Sequence, residues 1–252
     1  MDSKKLFSGK VDNYIRYRPS YSEEALNFLY DKVGLRKDCI IADVGSGPGN
    51  FTEHLLKRGG AVYAVEPNEN MRETAEKNLG SYENFHSVNG SGEFTGLESN
   101  SVDFIVSAQA FHWFDKIKAK KEFKRILKEE GKVILIWNKR LTSKTEFMTG
   151  YEAFLSGNIQ NYEERATHRK LKDEDFRNLF KDGTYEKTVF PNEKMIIFEE
   201  LKGLFLSLSY APRPGDENYE TLIEKLEELF EKYRVDNTVP FHYETQIYCG
   251  EI

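Results

Sequence analysis

The fold is decided by residues 40–50, which read IIADVGSGPGN. The run from Cys39 to Val44 is short, apolar and rich in β-branched side chains, as expected of a central parallel strand covered on both faces. Gly45, Gly47 and Gly49 follow at alternate positions, where glycine permits positive φ and lets a ligand approach the backbone closely. We predict a strand, a glycine-rich turn and then a helix, whose free N–H groups and positive dipole end favour a nucleotide-like ligand.

A second strand and an acidic residue follow at the spacing that a nucleotide-binding unit requires. Residues 51–58 have the length of one crossover helix, and the apolar run Ala61–Val65 ends in Glu66. Glu66 lies 21 positions after Gly45, where a dinucleotide-type fold places an acid that accepts hydrogen bonds from ribose hydroxyls. A nicotinamide or flavin fingerprint would require glycine at position 50, which is Asn50. The alternative is a tight strand-to-helix turn that binds no ligand.

The spacing of the turn indicates a different cofactor. Residues 43–49, DVGSGPG, closely resemble the first motif of class I S-adenosylmethionine-dependent methyltransferases. The resemblance implies that the turn holds the methionine end of the cofactor and that the acid after the second strand holds its ribose. The residues so implicated are Asp43, Gly45, Ser46, Gly47, Gly49, Glu66 and Pro67.

The same resemblance implies a fold and a cofactor. The fold is α/β and Rossmann-like: a mostly parallel seven-stranded sheet flanked by helices, with a C-terminal antiparallel hairpin and a helical cap insertion. The cofactor is S-adenosylmethionine, which becomes S-adenosylhomocysteine when the methyl group is transferred.

Two further segments are assigned to the adenine of the cofactor. Residues 89–93, NGSGE, form a glycine-bearing loop after the third strand candidate. The resemblance implies that Ser91 and Gly92 contact the adenine and that Glu93 orders the loop. Met71, near the start of the helix that follows the second strand, is expected on the adenine side, with a core methionine as the alternative.

The fourth strand, residues 102–106, is followed by SAQAFHWFD at positions 107–115. Ligands of open α/β sheets bind outside the carboxyl ends of the strands, beside the switch point. We therefore predict that Ala108 and Gln109 border the place of methyl transfer. His112 is the candidate base: transfer to a phenol or amine would benefit from one, whereas transfer to a carboxylate needs only alignment. The alternative is that His112 packs a short helical turn.

Residues 101–115 indicate one branch of this family. They strongly resemble the corresponding residues of a methyltransferase type 11-like branch that includes trans-aconitate methyltransferase-like proteins. A similar Tyr and Arg-Pro stretch precedes the first motif in one branch, and residues 7–21 here read FSGKVDNYIRYRPSY. We predict a lid whose Tyr14 and Arg18 face the cofactor; the alternative is a strap whose rings cover the edge of the sheet.

The resemblance covers residues 7–140 well and the rest loosely. We expect residues 1–140 to form the cofactor-binding core with its lid, and residues 141–252 to form the cap insertion and the last two strands. Strand candidates at 184–190 and 194–198 are separated by Pro191–Asn192. Candidates to clamp a carboxylate acceptor are Arg140, Arg165, Arg169 and Arg213.

Composition excludes several classes of protein. The 252 residues carry a net charge of −6 without a long basic run, which disfavours binding along a nucleic-acid backbone. Cys39 and Cys249 show neither a disulfide framework nor a zinc spacing, which fits a reducing cytosol. The apolar core of a signal peptide and a membrane-length apolar run are both absent from the sequence. The expected location is therefore cytoplasmic.

These patterns predict a class I S-adenosylmethionine-dependent methyltransferase that acts on a small molecule. The acceptor atom is oxygen or nitrogen, a carboxylate included, and the protein is a monomer or homodimer without a metal, nucleic-acid or membrane partner. The first rival is a nicotinamide-dependent oxidoreductase, against which Asn50 argues. The second is a cofactor-binding regulatory protein without turnover.

Overall fold

The computed structural model describes residues 15–165 and 171–252 of the chain, so that Tyr14, Arg169 and the side chain of Arg165 lie outside the described residues. The strands are β1 (Ile40–Val44), β2 (Ala61–Val65), β3 (Phe85–Val88), β4 (Val102–Ala108), β5 (Leu127–Arg140), β6 (Glu186–Ile196) and β7 (Val239–Gly250). The α-helices are α1 (Glu23–Phe28), α2 (Asn50–Lys57), α3 (Glu69–Leu79), α4 (Lys116–Ile126), α5 (Glu146–Asn158), α6 (Tyr162–Arg165), α7 (Asp173–Leu179), α8 (Phe198–Leu206) and α9 (Tyr219–Tyr233).

Within the described residues, seven strands form one sheet in the order β3-β2-β1-β4-β5-β7-β6. The pairs among β1 to β5 are parallel, whereas β7 runs antiparallel to both β5 and β6. The order reverses between β1 and β4, which is the switch point where open α/β sheets bind ligands. The predicted Rossmann-like fold with a C-terminal antiparallel hairpin is confirmed.

The long strands β5 and β7 project beyond the rest of the sheet. The last residue of β4, Ala108, pairs with Ile136, and β5 then continues to Arg140, which pairs with Tyr243 of β7. Four further residues of strand extend β5 by roughly 13 Å past the end of β4. Helices α5, α6, α8 and α9, which we call the cap, belong with this projecting part because their buried side chains share one apolar cluster with Phe241 of β7.

Strand β6 corrects one expectation from the sequence. Pro191–Asn192 was expected to separate two strands, but β6 runs without a break from Glu186 to Ile196. Proline is tolerated here because β6 is the edge strand of the sheet and pairs only with β7. On the open side of an edge strand, no neighbouring strand requires a backbone N–H donor. No helix within the described ranges is both long and apolar enough to cross a membrane.

Candidate cofactor and acceptor site

A cavity of about 780 Å³ lies at the carboxyl ends of β1, β2 and β4 and continues beneath the cap. Small-molecule sites commonly measure roughly 300–1,000 Å³, so this cavity has room for a cofactor and a second small molecule. We call the part lined by Gly45, Gly47, Glu66 and Ser91 the cofactor half, after the ligand predicted for it. The part lined by Arg140, Tyr151, Leu208 and Tyr243 is the cap half. The predicted site residues that line it are Arg18, Gly45, Gly47, Glu66, Pro67, Met71, Ser91, Gly92, Glu93, Ala108, Gln109 and His112.

Two glycines of the turn after β1 are required for different reasons. Gly45 and Gly47 have φ values of +75° and +58°, in the region that favours glycine. A Cβ on Gly45 would lie 2.4 Å from the Cβ of Ala110, so a side chain there would collide with the loop after β4. A Cβ on Gly47 would meet only the Sδ of Met71, at 3.8 Å. Gly47 is therefore the glycine of this pair that leaves space for a ligand.

Glu66 follows β2 and forms part of the cavity wall. Its carboxylate accepts hydrogen bonds from the backbone N–H groups of Gly47 (3.0 Å) and Asn68 (2.8 Å). Burial raises the pKa of Glu66, while these two N–H groups and the charge of Arg72 act in the opposite direction. A buried acceptor is thus held beside the glycine turn, at the position predicted for binding ribose hydroxyls.

Three predicted cofactor residues, Asp43, Ser46 and Gly49, are not part of the lining. Asp43 is fully buried, and its Oδ2 accepts a 2.7 Å hydrogen bond from the hydroxyl of Thr52 in α2. Its Oδ1 has no hydrogen-bond partner among the described residues. Burial raises the pKa of Asp43 to about 7, against the opposing effect of Thr52. Asp43 thus links β1 to α2, the two elements that flank the glycine turn.

The loop after β3 is tied to the start of α4. Ser91, Gly92 and Glu93 line the cavity, and the carboxylate of Glu93 accepts a 2.8 Å hydrogen bond from the backbone N–H of Asp115. A Cβ on Gly92 would lie 2.6 Å from the ring of Phe114, so a larger residue would displace that ring. The hydrogen bond between Glu93 and Asp115 supports an ordering role for Glu93, which stays a prediction.

Glu122 also holds the loop after β3, through a contact that the sequence did not predict. Glu122 of α4 accepts hydrogen bonds from the backbone N–H (2.7 Å) and the hydroxyl (2.6 Å) of Thr95, and two more from Arg125. Burial alone would raise the pKa of Glu122, but the bonds from Arg125 and Thr95 lower it to about 2. The spacing of Glu122 and Arg125 is visible in the sequence, whereas the contact with Thr95 joins residues 27 positions apart.

The loop after β4 forms part of the cavity wall. Gln109 has a positive φ of +61°, which is uncommon for a residue with a side chain and typical of functional sites. His112 lies in the 3₁₀ turn Phe111–Trp113 and lines the cavity, so it packs a helical turn and borders the site at once. Lys116 holds the turn by donating to the carbonyl oxygens of Phe111 (2.9 Å) and Phe114 (2.7 Å). A catalytic role for His112 stays a prediction.

Residues 15–21, which we call the strap, connect the cap to the sheet. The guanidinium of Arg18 donates to the backbone oxygen of Ser207 at 3.1 Å, just after α8. The side-chain amide of Asn138 in β5 donates to the carbonyl oxygens of Pro19 and Ser20, both at 3.1 Å. Arg18 and Pro19 also line the cavity, so the strap borders it, and the lid role stays a prediction.

The cap half contains a buried arginine. The Nη2 of Arg140 donates to the hydroxyl of Tyr162 at 2.7 Å and forms a short ion pair with Glu152. The guanidinium also stands 5.1 Å from the centre of the Tyr151 ring. Of the predicted clamp residues that the structure describes, Arg140 lines the cavity and Arg213 does not.

Comparisons with known proteins agree with this geometry. Residues 42–135 match the family described as methyltransferase domain. An uncharacterized methyltransferase of Mycobacterium tuberculosis is 36% identical over 134 residues, which cover 53% of this chain and 52% of the relative. The chain therefore spans about half the length of that relative. A methyltransferase-like protein of Schizosaccharomyces pombe is 28% identical over 254 residues, which cover 98% of this chain and 95% of the relative.

Solved structures with low sequence identity share the fold. A protein from Anaeromyxobacter dehalogenans, described as a type II methyltransferase, superposes with a TM-score of 0.66 at 18% identity over 93% of this chain and 98% of that one. A protein from Anabaena variabilis, described as a methyltransferase from an antibiotic biosynthesis pathway, gives a TM-score of 0.62 at 22% identity over the same shares of the two chains. The trans-aconitate branch stays a prediction. Residues 42–135 thus match the methyltransferase domain family, and the chain has the fold of solved structures that are described as methyltransferases.

Proposed function

We propose that the protein binds S-adenosylmethionine in the cofactor half of the cavity and transfers its methyl group to an oxygen or nitrogen atom of a small molecule in the cap half. One observation carries the proposal. The open space above Gly47 and the buried carboxylate of Glu66 lie on the same wall, joined by a 3.0 Å hydrogen bond. A backbone that a ligand can approach and an acceptor for ribose hydroxyls are the two features that the cofactor needs there.

The chain's own residues have separate tasks in this proposal. Glu66 accepts hydrogen bonds from the ribose, Met71 packs beside the adenine, and the loop from Ser91 to Glu93 closes the adenine side. The cofactor supplies an electrophilic methyl group on a sulfonium sulfur. Bound over β1 and β4, it would present that group towards the loop after β4, beside Gln109.

Methyl transfer then depends on alignment and on the exclusion of water. The strap and the cap enclose the acceptor and so exclude water. His112 would take the proton of a phenol or an amine as the new bond forms, whereas a carboxylate acceptor needs no base.

Titration calorimetry with S-adenosylmethionine and S-adenosylhomocysteine tests the cofactor assignment. We expect binding by the wild type, and its loss in Gly47→Val and Glu66→Ala. Gly34→Val is the matched control, because Gly34 has a φ of +104° and a Cβ added there would meet no atom within 4 Å. The control also places a valine at a positive φ, but Gly34 does not line the cavity, so this variant should bind as the wild type does. A folded wild type that binds neither compound would overturn the proposal.

A second measurement separates turnover from regulation. The protein is incubated with S-adenosylmethionine and a panel of phenols, amines and carboxylates, and S-adenosylhomocysteine is quantified. Formation of this product identifies an enzyme. Binding without product across the panel would favour the regulatory protein, and a fluorescence change of NADH on titration would revive the oxidoreductase.

A further inference from the structure

Charge is distributed unevenly over the cavity wall. The carboxylates among the lining residues, Glu66 and Glu93, both belong to the cofactor half. The cap half and its borders carry cationic side chains instead: Arg18, Lys139, Arg140 and Lys187. Glu152 balances the charge of Arg140 from outside the lining. Arg18, Lys139 and Lys187 therefore carry the excess positive charge that favours an anionic group in this part of the cavity.

Arg140 and Tyr151 bring two unmatched donors together in the cap half. Nη2 of Arg140 is engaged by Glu152 and Tyr162, but its Nε has no partner among the described residues. The hydroxyl of Tyr151, a residue with 0% exposure, has none either. Water reaches neither atom, and a buried donor without a partner destabilises the fold. The guanidinium lies 5.1 Å from the centre of the Tyr151 ring, and guanidinium and hydroxyl donors are groups that bind an oxyanion.

The position of Arg140 separates this pair from the place of methyl transfer. Ala108, at the end of β4, pairs with Ile136, and Arg140 lies four strand residues further, roughly 13 Å along β5. The guanidinium is directed towards Glu152 and Tyr162 of the cap. A group bound there is out of reach of a methyl group presented beside Ala108.

We propose that Arg140 and Tyr151 form a recognition site for an oxyanion of the acceptor, and that this oxyanion is not the group that becomes methylated. The acceptor class is a small molecule with a carboxylate or phosphate at one end and a nucleophilic oxygen or nitrogen at the other. The inference rests on the proposed function, because it locates the transferred methyl group by the cofactor.

Matched probes test the proposal by calorimetry on protein saturated with S-adenosylhomocysteine. The probes are para-hydroxyphenylacetate, its neutral amide, and para-hydroxybenzylphosphonate, which distinguishes a phosphate-type oxyanion from a carboxylate. We expect one of the two anions to bind about tenfold more tightly than the amide. Arg140→Gln and Tyr151→Phe should remove this preference. Arg234→Gln, which removes an exposed arginine just after α9, should keep the preference. Equal affinity for anion and amide, or no binding of either anion, would overturn the proposal.

Thermal stability provides a second test, which can be carried out even if Arg140→Gln does not fold. Tyr151→Phe removes an unpaired buried hydroxyl and should raise the Tm of the ligand-free protein by roughly 2 °C. Tyr30→Phe is the control, because the Tyr30 hydroxyl is also buried without a partner but does not line the cavity. Both variants should gain stability, and only Tyr151→Phe should lose the preference for the anion. A lower Tm for Tyr151→Phe with unchanged anion binding contradicts a recognition role.

The site of methylation completes the test. When the phenol oxygen of para-hydroxyphenylacetate bonds to the methyl carbon, the sulfur–carbon bond of the cofactor breaks and the phenolic proton passes to His112, as in the proposed function, and from there to solvent. Mass spectrometry should show a methyl ether with a free carboxylate, and a methyl ester would overturn the remote placement. Failure of the wild type to bind S-adenosylhomocysteine would instead count against the proposed function, since the anion preference can also be measured without the cofactor.

Discussion

The two halves of the cavity are built by different means. In the cofactor half, positive-φ glycines and strand ends shape the wall, and Glu66 is held by backbone N–H groups. In the cap half, side chains form the wall, with Arg140 among tyrosine rings and paired with Glu152. The cofactor half therefore depends on backbone conformation at single residues, and the cap half on pairs of side chains. Substitutions in one half should leave the ligand of the other half bound.

Gly45→Val should have the largest effect on stability, and of the two ligands it should affect only the binding of the cofactor. The new Cβ would lie 2.4 Å from Ala110 and 3.2 Å from the ring of Phe114, at a φ of +75°. Backbone strain and overpacking together should lower the free energy of unfolding by about 4 kcal/mol and abolish cofactor binding. Urea unfolding and calorimetry measure the two effects. In the control Gly47→Ala, which meets only Met71 at 3.8 Å, the stability loss should be about 1 kcal/mol. Equal losses in both variants would contradict the packing explanation.

The sequence predicted much of the cofactor half because its signals are local. Gly45, Gly47 and Glu66 follow the ends of strands, and spacing alone brought them to one edge of the sheet. Asp43 shows the limit of this reasoning, since a motif residue next to the turn is buried beneath it, bonded to Thr52. Spacing along the chain cannot distinguish a residue on the wall from one just behind it.

The cap half was less predictable because its contacts join distant parts of the chain. Arg140 was one of four arginines considered, and only the pairing of β5 with β7 shows that it reaches the cavity wall. The predicted break at Pro191 is wrong because the order of the sheet, which the sequence does not show, places β6 at the edge. The contact of Glu122 with Thr95 is missed because the two residues lie 27 positions apart.

Asp43→Asn should reveal a pH dependence that comes from the cofactor half. The folded-state pKa of Asp43 is about 7, above its ordinary value of 3.8, because burial disfavours the charged form. The stabilisation that comes from the raised pKa of Asp43 is fully present below about pH 4, and it is lost as the pH rises to about 7. The variant stays neutral, so its stability relative to the wild type should increase over this window, by about 3 kcal/mol. Urea unfolding at several pH values measures the difference.

Glu122→Gln is the comparison for that experiment, with the opposite sign. The hydrogen bonds from Arg125 and Thr95 place the folded-state pKa of Glu122 at about 2, below its ordinary value of 4.5. The stabilisation that comes from the lowered pKa of Glu122 is therefore present above about pH 4.5, and it is lost as the pH falls towards 2. A wild-type advantage over Glu122→Gln that persists unchanged at low pH would contradict this assignment.

Glu152→Gln should act on the cap half alone. It leaves the guanidinium of Arg140, whose side chain is 13% exposed, without its carboxylate partner. Removing one member of a largely buried pair should cost about 2 kcal/mol of unfolding free energy. The affinity for S-adenosylhomocysteine should not change. Glu53→Gln breaks an exposed pair with Lys57 and should cost less than about 0.5 kcal/mol. Cofactor affinity that falls with Glu152→Gln would show that the halves are coupled.

Lys116→Met should have the smallest effect, because it tests the border between the halves. A lysine at the start of a helix is unfavourable for the helix dipole, yet Lys116 donates to the carbonyl oxygens of Phe111 and Phe114 on either side of His112. Its loss should loosen that turn, raise the KM for the acceptor severalfold and lower stability by about 1 kcal/mol. Lys118→Met, in the same turn of α4 but exposed, is the control. Unchanged cofactor affinity would assign the turn to the cap half, and weakened cofactor affinity with an unchanged KM would assign it to the cofactor half.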